Sequence, residues 1–230
     1  GRLIIEDEKL QRNNNVRSAG SEIKAGELAL PKGSILTPAA IGFLAGIGIT
    51  EVSVIPDPVI SIILTGNELQ EPGKALAYGQ VYESNSFSLT AALASLHLPV
   101  HQIYKAEDDP EMLTAILQQA LNDSDLVLLT GGVSVGDYDF VLQAASACGV
   151  KQQFHKIKQR PGKPLFFGTK ANKLVFGLPG NPSSVLTCFY EYVTEALANQ
   201  TKRPLQLKSM QTVLAKDCKN VSGLTHFQKA

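Results

Sequence analysis

The stretch LVLLTGGVSVGDYDFVLQAA, Leu126 to Ala145, decides how the chain is read. An apolar run stops at Gly131-Gly132, Ser134, Gly136, Asp137 and Asp139 follow, and a helical pattern begins. A short apolar run bounded by glycines reads as a strand buried on both faces. A strand that runs through a loop into a helix is the repeating unit of a parallel sheet covered by helices. The Gly-rich bend reads in two ways. It can be a tight strand-to-helix turn. It can also be a place where bare backbone approaches an anionic ligand while acids hold a metal.

Working outward, the same alternation recurs. VISIIL (59–64), VHQIY (100–104), DLVLLT (125–130), KQQFHKIK (151–158), PLFFG (164–168) and LVFGL (174–178) read as strands. Helical patterns start near Ser84 or Asn85 as cap, at Asp109-Pro110, at Tyr138 and at Pro182. The fold class is therefore α/β, a mostly parallel sheet with helices on both faces, over 57–203. Residues 1–56 read as a small β-rich module, with strands expected at Leu28–Leu30 and Val52–Val54 and a helix capped by Thr37 before Pro38. The prolines of IPDP (55–58) mark a linker. Residues 204–230 begin another β module, with LQLKSMQTVLAKD (205–217) alternating like a strand.

Of the 230 residues, 21 are basic and 21 acidic, so the net charge is zero. That argues against a nucleic-acid-binding surface and requires any anion site to be built locally. Hydrophobic residues make up 44%, enough for a proper core. Cys148, Cys188 and Cys218 are far apart and odd in number, which argues for thiols rather than a disulfide framework or zinc cage. No run is long enough to cross a membrane, and no signal-peptide pattern opens the chain. A cytoplasmic protein is expected. The opening GRLIIEDEKLQRNNNVR begins as if within a strand, which reads as part of a longer chain.

Three of the strands run into glycine-containing loops: Thr65-Gly66-Asn67-Glu68, Gly131-Gly132-Val133-Ser134-Val135-Gly136, and Pro179-Gly180-Asn181-Pro182-Ser183. Parallel strands end on one edge, and ligands bind in the crevice outside it. Backbone donors there suit phosphate, whereas Glu68, Asp108, Asp109, Asp137 and Asp139 would repel it unless a cation such as Mg²⁺ bridges them. HKIKQRPGKP (155–164) adds Lys156, Lys158, Arg160 and Lys163. On a continuous strand the first three would share a face and could neutralise an oxyanion. Plainer readings stand beside these. Asn181-Pro182 and Asp109-Pro110 are sound helix starts, Asp139 suits a first helical turn, and a basic strip is commonly a solvated face.

Taken together, TGNEL (65–69), DDP (108–110), GGVSVGDYDFV (131–141), RPGKP (160–164) and GLPGNPSS (177–184) resemble, in order and spacing, the MoeA and gephyrin E-domain family of molybdopterin molybdenumtransferases. NVRSAGSEIKAGE (15–27) and GSILTPAAIGFLAGIGITEVSV (33–54) are similar to that family's preceding small domain. The resemblance implies a cytoplasmic homodimer that inserts molybdate into adenylylated molybdopterin and releases AMP with a divalent cation. A MogA-like adenylyltransferase would be its partner. It also implies catalytic roles for Glu68, Asp108, Asp139 and Lys156, the three acids serving the metal. The implied ligand set is Thr65, Gly66, Gly131, Gly132, Ser134, Gly136, Arg160, Lys163, Pro179, Gly180, Asn181, Pro182 and Ser183. Arg160 stands where many members have Lys, and Leu224 and Lys229 stand where many have arginine. Two alternatives remain: a gephyrin-like scaffold that binds peptides without catalysis, and a CinA-type nucleotide pyrophosphatase.

Overall fold

The computed structural model describes residues 1–6, 8–14, 16–132, 140–205, 209–220 and 222–228. The chain forms two units, Gly1–Val54 and Ile55–Ala230. In the first, helix α1 spans Pro38–Gly46, and Thr37 Oγ1 accepts from Ala40 N at 3.2 Å, the cap the sequence announces. The strands expected at Leu28–Leu30 and Val52–Val54 do not form, so among its described residues this unit is not β-rich. Leu28, Val52 and Val54 are exposed. No neighbouring strand pairs with their backbone groups, and an alternating pattern without a partner cannot make a ladder.

The second unit is built on a six-stranded sheet. Its strands are β1 (Ile60–Thr65), β4 (Val100–Ala106), β5 (Leu126–Thr130), β6 (Lys151–His155), β8 (Phe166–Lys170) and β9 (Lys173–Leu178). The order is β4-β1-β5-β9-β8-β6, with β8 antiparallel to both neighbours and the remaining pairs parallel. Helices α2 (Asn85–Ser95), α3 (Pro110–Asp123), α4 (Phe140–Ala147), α5 (Pro182–Cys188) and α6 (Thr194–Thr201) cover it.

Strand alternation divides the core in two. Ile62, Leu64, Leu128 and Phe176 pack with Leu89 and Leu93 of α2 and Val185 and Leu197 of α5 and α6. Ile63, Val127, Leu129 and Val175 pack with Leu113 and Leu117 of α3 and Val141 and Ala144 of α4. Both faces of the central strands are dry, which is why β1 and β5 are buried throughout and largely apolar.

Four details depart from the sequence reading. Ser84 is the N-cap residue of α2, as expected, but its side chain makes no capping bond. Instead the buried Glu83 carboxylate accepts from Ser86 N at 2.7 Å and from Ser86 Oγ at 2.5 Å. The last helical pattern is a composite, with a π-helical stretch, Phe189–Val193, between α5 and α6. Among the described residues, 205–217 form no strand and the C-terminal segment contributes only the two-residue β10 (Thr225–His226). That strand pairs in parallel with β7 (Gln159–Arg160). A second small pair unforeseen in the sequence joins β2 (Leu69–Gln70) and β3 (Val81–Tyr82).

The adjacent acids before α3 have different jobs. Asp109 Oδ1 accepts from Met112 N at 2.7 Å, which makes it the N-cap, whereas Asp108 faces the β1 loop. Asp109→Ala is expected to cost about 1 kcal/mol. Asp108→Ala should stay within about 0.5 kcal/mol as an exposed change away from the core. Urea unfolding midpoints of the two variants check the contrast.

Candidate functional site

The strand register lines up one edge of the sheet. Ala106 pairs with Thr65, Leu64 with Thr130, and Thr130 with Leu178. Gly177 pairs with Phe166, and Phe166 with His155. The loops after β4, β1, β5, β9 and β6 therefore leave the sheet side by side. They carry, in that order, Asp108, Glu68, Gly131-Gly132, Pro179-Gly180 and Lys156 to Lys163. Acids stand at one end, glycine bends in the middle and bases at the other end. Strands lie about 4.8 Å apart, so the four steps from β1 to β6 span roughly 19 Å. Groups that far apart cannot share one small ion at the strand ends. They suit an extended ligand with its own charge distribution.

At the acidic end, two loops clamp each other. Asn67 N donates to Asp108 Oδ2 at 3.4 Å, and Asp108 N donates to Asn67 Oδ1 at 3.2 Å. The Glu68 carboxylate folds back over Gly66, whose φ is +137°. A Cβ at Gly66 would sit 2.8 Å from both Glu68 carboxylate oxygens. Glu68 and Asp108 are exposed hard oxygen donors on neighbouring loops, a donor set that suits Mg²⁺, which takes one or two carboxylates plus phosphate oxygens. Among the described residues, no group of three or more His, Cys, Asp and Glu side chains could hold a metal ion by itself. Asp139, the third expected acid, lies outside the described residues, as do Ser134, Gly136 and Asp137.

In the middle, the glycines are forced by close approach. Gly131 has φ +83°, and a Cβ there would stand 2.3 Å from Thr65 O and 2.8 Å from Thr65 Oγ1. Thr65 Oγ1 donates to Thr130 O at 3.2 Å, tying β1 to β5 at the mouth of the bend. A Cβ on Gly180 would stand 3.8 Å from Gly131 Cα, so the β5 and β9 bends are near neighbours. Beyond them Asn181 Oδ1 accepts from Ser183 N at 3.0 Å and Ser184 N at 3.4 Å. Those two amides are taken by the helix cap, which removes them from the donor set expected to face a phosphate.

At the basic end, the expected face of Lys156, Lys158 and Arg160 does not exist. Strand β6 stops at His155, and Lys156 turns left-handed at φ +60°. Lys156 N donates to Leu165 O at 3.1 Å and Ile157 N to Lys163 O at 2.9 Å, so the segment folds back on itself as a loop. That closure brings Lys156 and Lys163 near each other by a different route, and both are exposed, as are Lys158 and Arg160.

The residue that holds this loop escaped the sequence reading. Gln159 is buried, and its Nε2 donates to Pro161 O at 3.1 Å and Gly162 O at 3.3 Å. Its Oε1 accepts from Tyr192 Oη on the π-helical stretch. Gly162, at φ +91°, lies so close to α5 that a Cβ would meet Cys188 Sγ at 2.5 Å. The available signal was a glutamine amid four cations, RPG immediately after it. Burial pushes the Cys188 thiol up to about 12 from its ordinary 9.0. Away from the loop, Lys105 first and then Lys74 hold Glu71 down at about 2.

Comparisons with known proteins bear on the family and the fold. Residues 61–199 match the family described as "Probable molybdopterin binding domain", and residues 2–48 match "MoeA N-terminal region (domain I and II)". The chain is 35% identical over 222 residues to a molybdopterin molybdenumtransferase of Haemophilus influenzae, covering 94% of this chain and 54% of that protein. It is 36% identical over 187 residues to one of Staphylococcus aureus, covering 81% and 44%. It thus spans about half the length of the curated relatives it matches. Among solved structures, a molybdopterin biosynthesis MoeA protein of Pyrococcus horikoshii superposes with a TM-score of 0.63 at 34% identity, over 79% of this chain and 45% of that one. The CinA protein of Thermoplasma acidophilum superposes over 60% of this chain and 96% of that one, with a TM-score of 0.50 at 18% identity, a likeness of fold alone.

Gly131→Ala is expected to lower stability by about 2–4 kcal/mol, from the left-handed backbone and the clash with Thr65. Chemical denaturation checks it. Because folding favours the neutral Cys188 thiol, its contribution is complete below pH 9 and fades as pH rises toward 12. Cys218 is exposed while Cys148 and Cys188 are buried. A thiol reagent near pH 8 should therefore label one cysteine per native chain and all three after denaturation, read by intact mass.

Proposed function

Since the chain belongs to the MoeA family, we propose that it carries the molybdopterin-binding core of a molybdopterin molybdenumtransferase. The reaction is insertion of molybdate into adenylylated molybdopterin with release of AMP. The observation that carries the reading is the ordered edge: acids after β4 and β1, neighbouring glycine bends after β5 and β9, and a basic loop after β6. An adenylylated pterin is long and carries its phosphates in the interior, which suits a crevice roughly 19 Å wide with opposite charges at its ends.

In this reading the bends at Gly131, Gly132 and Gly180 let the backbone lie against the ligand, with Thr65 setting their shape. Asn181, Pro182 and Ser183 form the rigid wall that begins α5, and Pro179 fixes its approach. Glu68 and Asp108 would hold Mg²⁺, which supplies charge neutralisation at the phosphoanhydride. Asp139 joins them, and Ser134 and Gly136 join the bend, on sequence grounds alone. Lys156 and Lys163, with Arg160 beside them, attract molybdate and shield its charge. Arginine at 160 offers a planar fork rather than a point charge, so it can grip two oxygens of a tetrahedral anion at once. Gln159 anchors the loop that bears these cations and so fixes where the anion is held.

A homodimer, a cytoplasmic location and supply of the adenylate by a MogA-like enzyme complete the proposal. Among the described residues, no helix is long and apolar enough to cross a membrane.

The test is incubation of the purified chain with molybdopterin adenylate, molybdate and Mg²⁺, with AMP read by chromatography. AMP release should depend on molybdate and stop on chelation of the cation. Glu68→Ala should slow it about a hundredfold. Lys163→Ala should raise the molybdate concentration required while leaving adenylate binding intact. Undiminished turnover in both variants would reject the assignment.

A further inference from the structure

One buried polar atom beside the glycine bends has no partner. Asn85 opens α2 and is 8% exposed. Its Nδ2 donates to Gly180 O at 2.9 Å, while its Oδ1 is buried with no hydrogen-bond partner among the described residues. The orientation of this carboxamide is fixed by chemistry. Exchanging its two ends would turn Oδ1 toward the Gly180 carbonyl, acceptor against acceptor. Gly180 in turn lies near Gly131, so the unsatisfied oxygen sits one amide group away from the point where the two bends come closest.

A buried acceptor left without a donor is costly, and native structures retain one where a ligand or solvent completes it. The diphosphate diester of an adenylylated ligand and molybdate are fully deprotonated near neutral pH and offer only acceptor oxygens, so neither can complete this acceptor. It requires an N–H or O–H. Both heterocycles of an adenylylated pterin present such groups, the pterin on its aminopyrimidinone ring and adenine on its exocyclic amine. We propose that Asn85 is a ligand-contacting residue whose Oδ1 accepts a hydrogen bond from an N–H of the bound heterocycle, while its Nδ2 holds the Gly180 bend in place. This inference rests on the functional reading above, and it adds a contact for the ring where the site's other groups address charge. It also gives the residue two separable jobs, since the tether and the acceptor are different atoms.

Equilibrium titrations of wild type, Asn85→Ala and Asn85→Asp with molybdopterin, AMP and inorganic diphosphate test the assignment. For Asn85→Ala, affinity for one heterocycle should fall about tenfold, well beyond any fall for diphosphate, which feels only the lost tether. Loss of molybdopterin affinity identifies the pterin as the donor, and loss of AMP affinity identifies adenine. Asn85→Asp keeps an acceptor at a helix N-terminus, where a carboxylate is tolerated, and replaces the tether with an oxygen that turns away from the Gly180 carbonyl. It should bind that heterocycle more tightly than Asn85→Ala does. Unchanged affinity in Asn85→Ala, a parallel fall for diphosphate, or equal behaviour of the two variants would overturn the acceptor role. Wild type that binds AMP but not molybdopterin would leave that role standing for adenine and remove the pterin reading of the cleft. Binding of none of the three ligands would overturn both.

Discussion

Everything in the second unit depends on backbone pairing at the mouth of the sheet, where β1, β5 and β9 end in register. These strands are buried on both faces, so a shift of one residue would move every side chain to the wrong core. That penalty pins where each strand stops. The stopping points in turn set which loop atoms become neighbours. Thr65 beside Gly131, and Gly131 beside Gly180, follow from the register rather than from any local attraction between the loops.

The charge order along the edge has the same origin. Acidic and basic loops are separated by the glycine bends because β5 and β9 lie between β1 and the β8–β6 pair. Placed side by side, Glu68, Asp108, Lys156 and Lys163 would neutralise one another. Spread over roughly 19 Å, they leave two poles for a ligand to span. The bends between them contribute shape and backbone proximity, and their amides are partly committed to helix caps.

The basic loop shows how a mobile-looking sequence becomes a fixed feature. Four cations in eight residues repel one another and favour a solvated chain. Gln159 opposes this by turning its side chain inward, bonding two carbonyls of its own loop and the Tyr192 hydroxyl. The partner lies on the π-helical stretch, where one extra residue per turn shifts the side-chain positions of the helix. The pairing of Gln159–Arg160 with Thr225–His226 then secures the loop from the other side.

The sequence by itself determined the alternation of buried strands and helices, the cap and first residue of α1, α3 and α5, and the family. These are legible because strand burial, N-caps and prolines act within a few residues of themselves. Glu68 and Asp108 could be placed at strand ends for the same reason. Only the tertiary structure decided the antiparallel insertion of β8, the break at Lys156, the partners of Gln159 and the unpaired oxygen of Asn85. The first unit's missing strands belong to that class too, since Leu28 and Val52 alternate correctly and find no partner. Each of these depends on what stands across space from a residue, and side-chain period along the chain carries no information about that neighbour.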